Sequence, residues 1–210
     1  MPELPEVEVV KNFLNSNFNG KRIQKIKILN KKLRYEIKTN ITKHFINLII
    51  TKIFRRGKYL ILLFENKYTL LVHLGMTGYF RIIKEENYMK HDHLVFYFES
   101  KLLVYNDIRK FGFIKFYKPD EVLNSQHLVK IGPEPFSKEY DFDYFKLNSK
   151  KTTNIKNLLM NQNFVAGLGN IYCSEILFDA KISPKKRCKN LNNNQIKQII
   201  KSTKKILYKA

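Results

Sequence analysis

Between residues 49 and 117 the chain is cut into short runs that read as strands. The runs 59–65, 68–74, 79–83, 94–99, 102–106 and 113–117 are rich in aromatic and β-branched residues and are separated by polar or glycine breaks. A series at this spacing predicts an antiparallel sandwich or barrel. Ahead of it, residues 5–17 predict a helix, with Val7, Val10, Leu14 and Phe18 on one face at spacings of three and four. Pro5 suits the first turn, and Glu6 and Glu8 complement the positive end of the helix dipole. Asn19-Gly20 breaks the helix, and Ile23, Ile26 and Ile28 begin strand-like material. Residues 36–48 fit helix and strand equally well.

The pattern changes after Lys118-Pro119. Pro133, Pro135 and a polar stretch to residue 143 read as a linker, and from about residue 151 the chain reads helical. Ile155, Leu158, Leu159 and Phe164 make one apolar face; helices are expected at 171–180 and 195–207. Between the first two helices, Gly167 and Gly169 allow a tight turn, and Asn170 is expected to cap the helix that follows. Backbone N–H groups at such a helix start suit a phosphate. The plan is α+β: an N-terminal antiparallel β-sandwich or barrel flanked by helices (1–118), a linker (119–143), and a helical domain (144–210).

Basic residues number 39 against 18 acidic, a net charge of +21. Such an excess points to a polyanionic partner, most simply nucleic acid, although part of it follows a general richness in Lys and Asn. No apolar run is long enough to span a bilayer, and no basic, apolar signal segment leads the chain. A cytoplasmic, nucleoid-associated protein acting as a monomer is the expectation. The two cysteines, Cys173 and Cys188, form no Cys-x-x-Cys pair, which predicts no metal site.

Five stretches carry possible chemistry. If Met1 is removed, Pro2 becomes a terminal secondary amine beside Glu3. An α-amino group titrates at roughly 7.7–8.0, against about 10.4 for lysine, so much of it is neutral and nucleophilic near neutral pH. The plainer reading makes Pro2 and Pro5 helix-start punctuation. Arg55-Arg56-Gly57-Lys58-Tyr59 is a basic cluster or a solvated strand end. His73-Leu74-Gly75-Met76-Thr77-Gly78 presents a methionine at a turn or packs it in a bend. His91-Asp92-His93 lacks the further ligands of a metal site and reads as a phosphate contact or a structural element. Asn106-Asp107-Ile108-Arg109-Lys110-Phe111-Gly112 places a cation two residues from an aromatic, a pair able to enter a base stack or to cover a surface turn.

Together with Lys90, residues 128–135 and Gly167-Leu168-Gly169-Asn170-Ile171-Tyr172-Cys173-Ser174-Glu175, these stretches occur in the order and spacing of the bacterial formamidopyrimidine-DNA glycosylases. The chain resembles that family over essentially its whole length. Each motif alone is weak, but jointly they are specific. The segment around Asn170-Ile171-Tyr172 is similar to the family's helix–two-turns–helix element.

The resemblance implies a bifunctional DNA glycosylase/AP lyase of base excision repair. The family removes 8-oxoguanine opposite cytosine and formamidopyrimidines from double-stranded DNA, then cleaves the abasic site by β,δ-elimination. It implies that Pro2 attacks the sugar C1′ and forms a Schiff base, with Glu3 as general acid/base and Glu6 in support. Lys58 is implied near the phosphates as a proton donor. Met76, Arg109 and Phe111 match the trio that fills the gap left by the flipped base. His73, His91, Lys151 and Asn170 match DNA-backbone contacts, and Lys156 falls near a lysine that recognises the oxidised purine. Leu4 and the trio favour this branch over the related endonuclease VIII group, which prefers oxidised pyrimidines.

The family also carries a loop that closes over the flipped base and a Cys₄ zinc finger. This chain ends at Ala210, within what reads as the last helix before both. A truncation or fragment without the family's structural zinc is therefore expected. A weakly active or silent DNA-binding remnant is the alternative from another class.

Overall fold

The computed structural model describes residues 2–149 and 153–210. They divide into two compact units, one of residues 2 and 6–125, the other of residues 3–5 and 126–210.

Helix α1 (Leu4–Phe18) is followed by strand β1 (Lys25–Ile28). The ambiguous stretch 36–48 contains a single helical turn, α2 (Thr39–Thr42), and a 3-10 turn (Lys43–Phe45) that buries Phe45. Seven strands follow: β2 (Ile50–Arg56), β3 (Tyr59–Phe64), β4 (Thr69–His73), β5 (Tyr79–Ile83), β6 (Asp92–Tyr97), β7 (Leu102–Asn106) and β8 (Phe113–Tyr117). They form two four-stranded antiparallel sheets, ordered β1-β6-β7-β5 and β2-β3-β4-β8. The fold is a sandwich.

Alternation along the strands builds its core. Leu60, Leu62 and Phe64 of β3, Leu70 and Val72 of β4, and Ile114 of β8 pack with Leu94 and Phe96 of β6 and Leu103 and Tyr105 of β7. From α1, Val7, Leu14 and Phe18 join them, and Val10 packs alongside. Each such side chain contributes about 2 kcal/mol on burial. The opposite face of β6 and β7 is not left wet. Val95, Leu102 and Val104 form a second small cluster with Leu29, Ile83 and Tyr97.

In the second unit, α3 (Phe142–Asn148) is capped by Asp141, whose side chain accepts the N–H of Tyr144 at 2.8 Å. The linker stretch is more than a tether here, since Tyr140 is fully buried in this unit's core. Helix α4 (Ile155–Met160) buries Ile155, Leu158 and Leu159; α5 (Asn170–Asp179) buries Cys173, Ile176 and Leu177. Helix α6 (Asn193–Lys209) begins in a capping box of Asn192 and Gln195 and buries Ile196, Ile199, Thr203 and Leu207 along one face. No helix among the described residues is long and apolar enough to cross a membrane.

Candidate active site and nucleic-acid interface

The start of α5 is not capped as the sequence suggests. Asn170 is the first helical residue, and the cap position is Gly169, which has no side chain to offer. The acceptor comes from the other end of the chain. Glu3 is buried and receives Gly169 N–H at 2.6 Å and Tyr172 N–H at 3.3 Å on Oε2, and Ile171 N–H at 2.8 Å on Oε1. The helix start expected to take a phosphate therefore holds a carboxylate. The physical reason is the same for both anions: unpaired N–H groups at the positive end of the helix dipole.

The loop before α5 is shaped to receive this segment. Leu4 N–H donates to the Gly167 carbonyl at 2.9 Å. Gly167 has φ +87°, and a Cβ there would stand 2.7 Å from the Leu4 side chain. Gln162 staples the loop: its Oε1 accepts Gly167 N–H at 2.9 Å, and its Nε2 donates to the Leu168 carbonyl at 2.7 Å. Asn170 is exposed beside this start. Lys156, half-buried on α4, donates to the Ser174 hydroxyl of α5 at 2.9 Å. Ser174 in turn donates to the Asn170 carbonyl at 2.8 Å.

In the first unit, Pro2 is half-buried and Glu6 is exposed in the first turn of α1. Lys58 is buried, in the two-residue turn between β2 and β3. Gly57 adopts φ +56° at the first turn position, where this hairpin type favours glycine. Arg55 donates to the Gly57 carbonyl at 2.9 Å and to Glu8 of α1 at 2.8 Å. Lys11 reaches the same carboxylate at 2.5 Å. Burial alone would raise the Glu8 carboxyl; hydrogen bonds from Lys11 and Arg55 outweigh it and hold the group below its ordinary value. The turn that carries Lys58 is thus braced against α1.

The same unit gathers His73, Met76, Arg109 and Phe111, with Arg34 and Gly75, around a groove of about 600 Å³. Met76 and Phe111 are 41% and 47% exposed and line this groove. The Arg109 guanidinium lies 4.7 Å over the Phe111 ring. His73 Nδ1 accepts Gly75 N–H at 3.1 Å, which puts the ring proton on Nε2. The ring stacks on Phe113 at 5.7 Å.

The loops meet at their glycines. Gly75 has φ +65°, and a Cβ on it would stand 2.3 Å from the Gly112 nitrogen. Asp107, fully buried, accepts the Thr77 hydroxyl at 2.5 Å on one oxygen and Gly112 N–H at 2.8 Å on the other. Thr77 and Asp107 carry no assigned role in the sequence motifs. The available signal was a lone acid in an otherwise basic and aromatic turn.

In His91-Asp92-His93 the last two residues are structural. Asp92 is buried and accepts from Arg81, Met89 N–H and Asn106 at 2.5, 2.7 and 2.8 Å. Buried His93 sets Nε2 3.0 Å from the Asp107 carbonyl. His91 is half-buried, and its carbonyl accepts Asp107 N–H at 3.1 Å. Lys151 lies outside the described residues.

The cysteines do not suit a structural zinc. Cys173 and Cys188 are buried in the helical unit's core, and burial pushes the Cys188 thiol up to about 11, away from the thiolate that binds metals. Among the described residues no three His, Cys, Asp or Glu side chains gather as a metal site.

Comparison with known proteins accords with this geometry. Residues 1–114 match the formamidopyrimidine-DNA glycosylase N-terminal domain, and residues 131–210 match the H2TH domain of the same enzymes. The chain is 42% identical over 214 residues to formamidopyrimidine-DNA glycosylase of Rickettsia bellii, covering 100% of this chain and 78% of that protein. Against the Legionella pneumophila enzyme it is 36% identical over 212 residues, covering 100% and 77%. The Lactococcus lactis enzyme, solved non-covalently bound to DNA containing an AP site, superposes with a TM-score of 0.92 at 37% identity, covering 99% of this chain and 80% of that one. MutM solved with DNA containing carbocyclic 8-oxo-G gives 0.93 at 38% identity, covering 100% and 79%. The chain belongs to the formamidopyrimidine-DNA glycosylase family, enzymes of base excision repair.

Proposed function

We propose that this protein acts on duplex DNA, removes oxidised purines, and cleaves the abasic site through a covalent intermediate on Pro2. One observation carries the reading: the carboxylate next to Pro2 is held by three backbone N–H groups at the start of α5. A terminal amine tethered to so constrained a neighbour is a positioned nucleophile.

Once Met1 is removed, the neutral Pro2 amine attacks C1′. The bond from C1′ to the base breaks, and the base departs. Glu3, a carboxylate at rest, takes the proton that the Pro2 nitrogen loses and delivers it to the ring oxygen as the sugar opens, leaving an iminium between Pro2 and C1′, while the departed base takes its proton from water. Loss of a proton from C2′ then expels the 3′ phosphate, and a second elimination expels the 5′ phosphate. Lys58 is the proton donor near the phosphates in these steps, and Glu6 supports the same site. Met76 and Phe111 fill the space the extruded nucleotide vacates, offsetting the few kcal/mol lost on unstacking. Arg109 reads the orphaned base. His73, His91, Asn170 and Lys151 hold phosphates, and Lys156 reads the flipped purine. The net charge of +21 supplies salt-sensitive affinity. The reaction takes place at the nucleoid, in the cytoplasm, on a monomer. No step draws on a metal ion held by this chain.

The test is substrate choice. Processed protein incubated with duplexes carrying 8-oxoguanine opposite cytosine, an oxidised pyrimidine, or no lesion should incise the first fastest. Faster incision of the pyrimidine duplex would move the chain to the endonuclease VIII type of activity. Incision of none would overturn the enzymatic reading.

A further inference from the structure

Thr77 lies in the loop that carries Met76 and ties it to the loop that carries Arg109 and Phe111. Its hydroxyl donates to buried Asp107 at 2.5 Å and accepts the backbone N–H of Arg109 at 3.1 Å. The other Asp107 oxygen holds Gly112 N–H at 2.8 Å. The six-residue turn 107–112 is therefore anchored at residues 107, 109 and 112 by one hydroxyl and one carboxylate. Lys110, within it, has φ +57°, a conformation that side chains other than glycine seldom adopt unless neighbours impose it. Contact between Gly75 and Gly112 leaves no slack between the loops. Arg109 can shift its backbone only by breaking its hydrogen bond to the Thr77 hydroxyl, which is itself held by a buried carboxylate.

We infer that Thr77 is a positioning residue that sets how strictly the enzyme distinguishes the base opposite the lesion. The inference rests on the assignment of Arg109 to the orphaned base. The chemistry of that base makes position matter. Unpaired cytosine presents two adjacent acceptors, N3 and O2, which match the donor fork of a guanidinium. Adenine presents one acceptor, N1, beside an amino group that repels the fork. A bidentate contact favours cytosine only while the fork is held in register. A looser Arg109 makes a single hydrogen bond, and one acceptor is available on either base. Thr77 touches neither DNA nor the reacting atoms in this scheme. It acts through the Arg109 backbone.

The experiment measures single-turnover removal of 8-oxoguanine opposite cytosine and opposite adenine, in the wild type and in Thr77→Val, Thr77→Ser and Arg109→Ala, each with its melting temperature. Valine keeps the shape and loses the hydroxyl; serine keeps the hydroxyl. Thr77→Val should lower the cytosine-to-adenine rate ratio roughly tenfold, because valine can neither donate to Asp107 nor accept the N–H of Arg109. Thr77→Ser should restore the ratio. General destabilisation would slow both substrates together and leave the ratio alone. An unchanged ratio in a folded Thr77→Val protein, with Arg109→Ala lowering it, overturns the role of Thr77 and spares that of Arg109. An unchanged ratio in Arg109→Ala overturns both. If Thr77→Val does not fold, Thr77→Ala gives the same comparison.

Discussion

The carboxylate of Glu3 accepts the backbone N–H of Gly169 at 2.6 Å, joining two residues 166 positions apart in sequence. Glu3 therefore has two duties that substitution can separate. Glu3→Ala removes both the cap and the acid; Glu3→Gln keeps one acceptor oxygen for the helix and loses the acid. Glu3→Ala should lower stability by about 1 kcal/mol, the usual cost of a lost N-cap. For a chain of this size that is about 2–4 °C in melting temperature. Glu3→Gln should melt closer to wild type. Both should slow base removal at least about a hundredfold. Glu3→Gln with wild-type base removal would leave Glu3 with the cap alone.

Phe111 is half-exposed and lies under the Arg109 guanidinium. Phe111→Ala should slow 8-oxoguanine removal from duplex by about tenfold, consistent with the loss of one stacking contact. Cleavage of a preformed abasic site needs less base extrusion and should fall less. Equal losses on the two substrates would argue against a wedge.

Glu8 links acid stability to the turn that carries Lys58. Its carboxyl is held below the ordinary 4.5 in the folded protein by Lys11 and Arg55, whose hydrogen bonds outweigh burial. A lowered folded value means the ion pairs stabilise the fold above the unfolded value and cease to do so as pH falls through the folded one. Glu8→Gln should thus be less stable than wild type at neutral pH, and the gap should close as pH drops below about 4. Urea midpoints at pH 7 and in the acid range read this directly. A gap of constant size would rule out the carboxylate as its source.

What was legible in the sequence was local. Unlike β2, which ends in Arg55-Arg56 and is not among the runs, strands β3 to β8 announce themselves because their aromatic and β-branched runs are interrupted by polar and glycine breaks. Helix α1 does so because Val7, Leu14 and Phe18 keep helical spacing. The illegible parts depend on distant partners. β7 is buried along its whole length, so it shows no alternation to reveal which face meets the core. Residues 36–48 resisted assignment because they hold only one α-turn and one 3-10 turn, too short for either period to register. The cap of α5 lies at the far end of the chain, so Asn170 was the best local candidate and Glu3 could not be seen. The Thr77–Asp107 pair spans 30 residues and joins two loops that sequence presents as separate motifs.

The most direct measurement for the central claim is covalent trapping. Processed protein, with Pro2 at its terminus, is incubated with an 8-oxoguanine:cytosine duplex and borohydride beside a Pro2→Gly variant, and a preformed abasic site serves as a second substrate. The expected result is a reduced protein–DNA adduct on both substrates, mapped by mass spectrometry to Pro2 and much weaker in the variant. DNA binding without an adduct on either substrate, or an adduct that maps to a lysine, would contradict the assignment of Pro2 as the nucleophile.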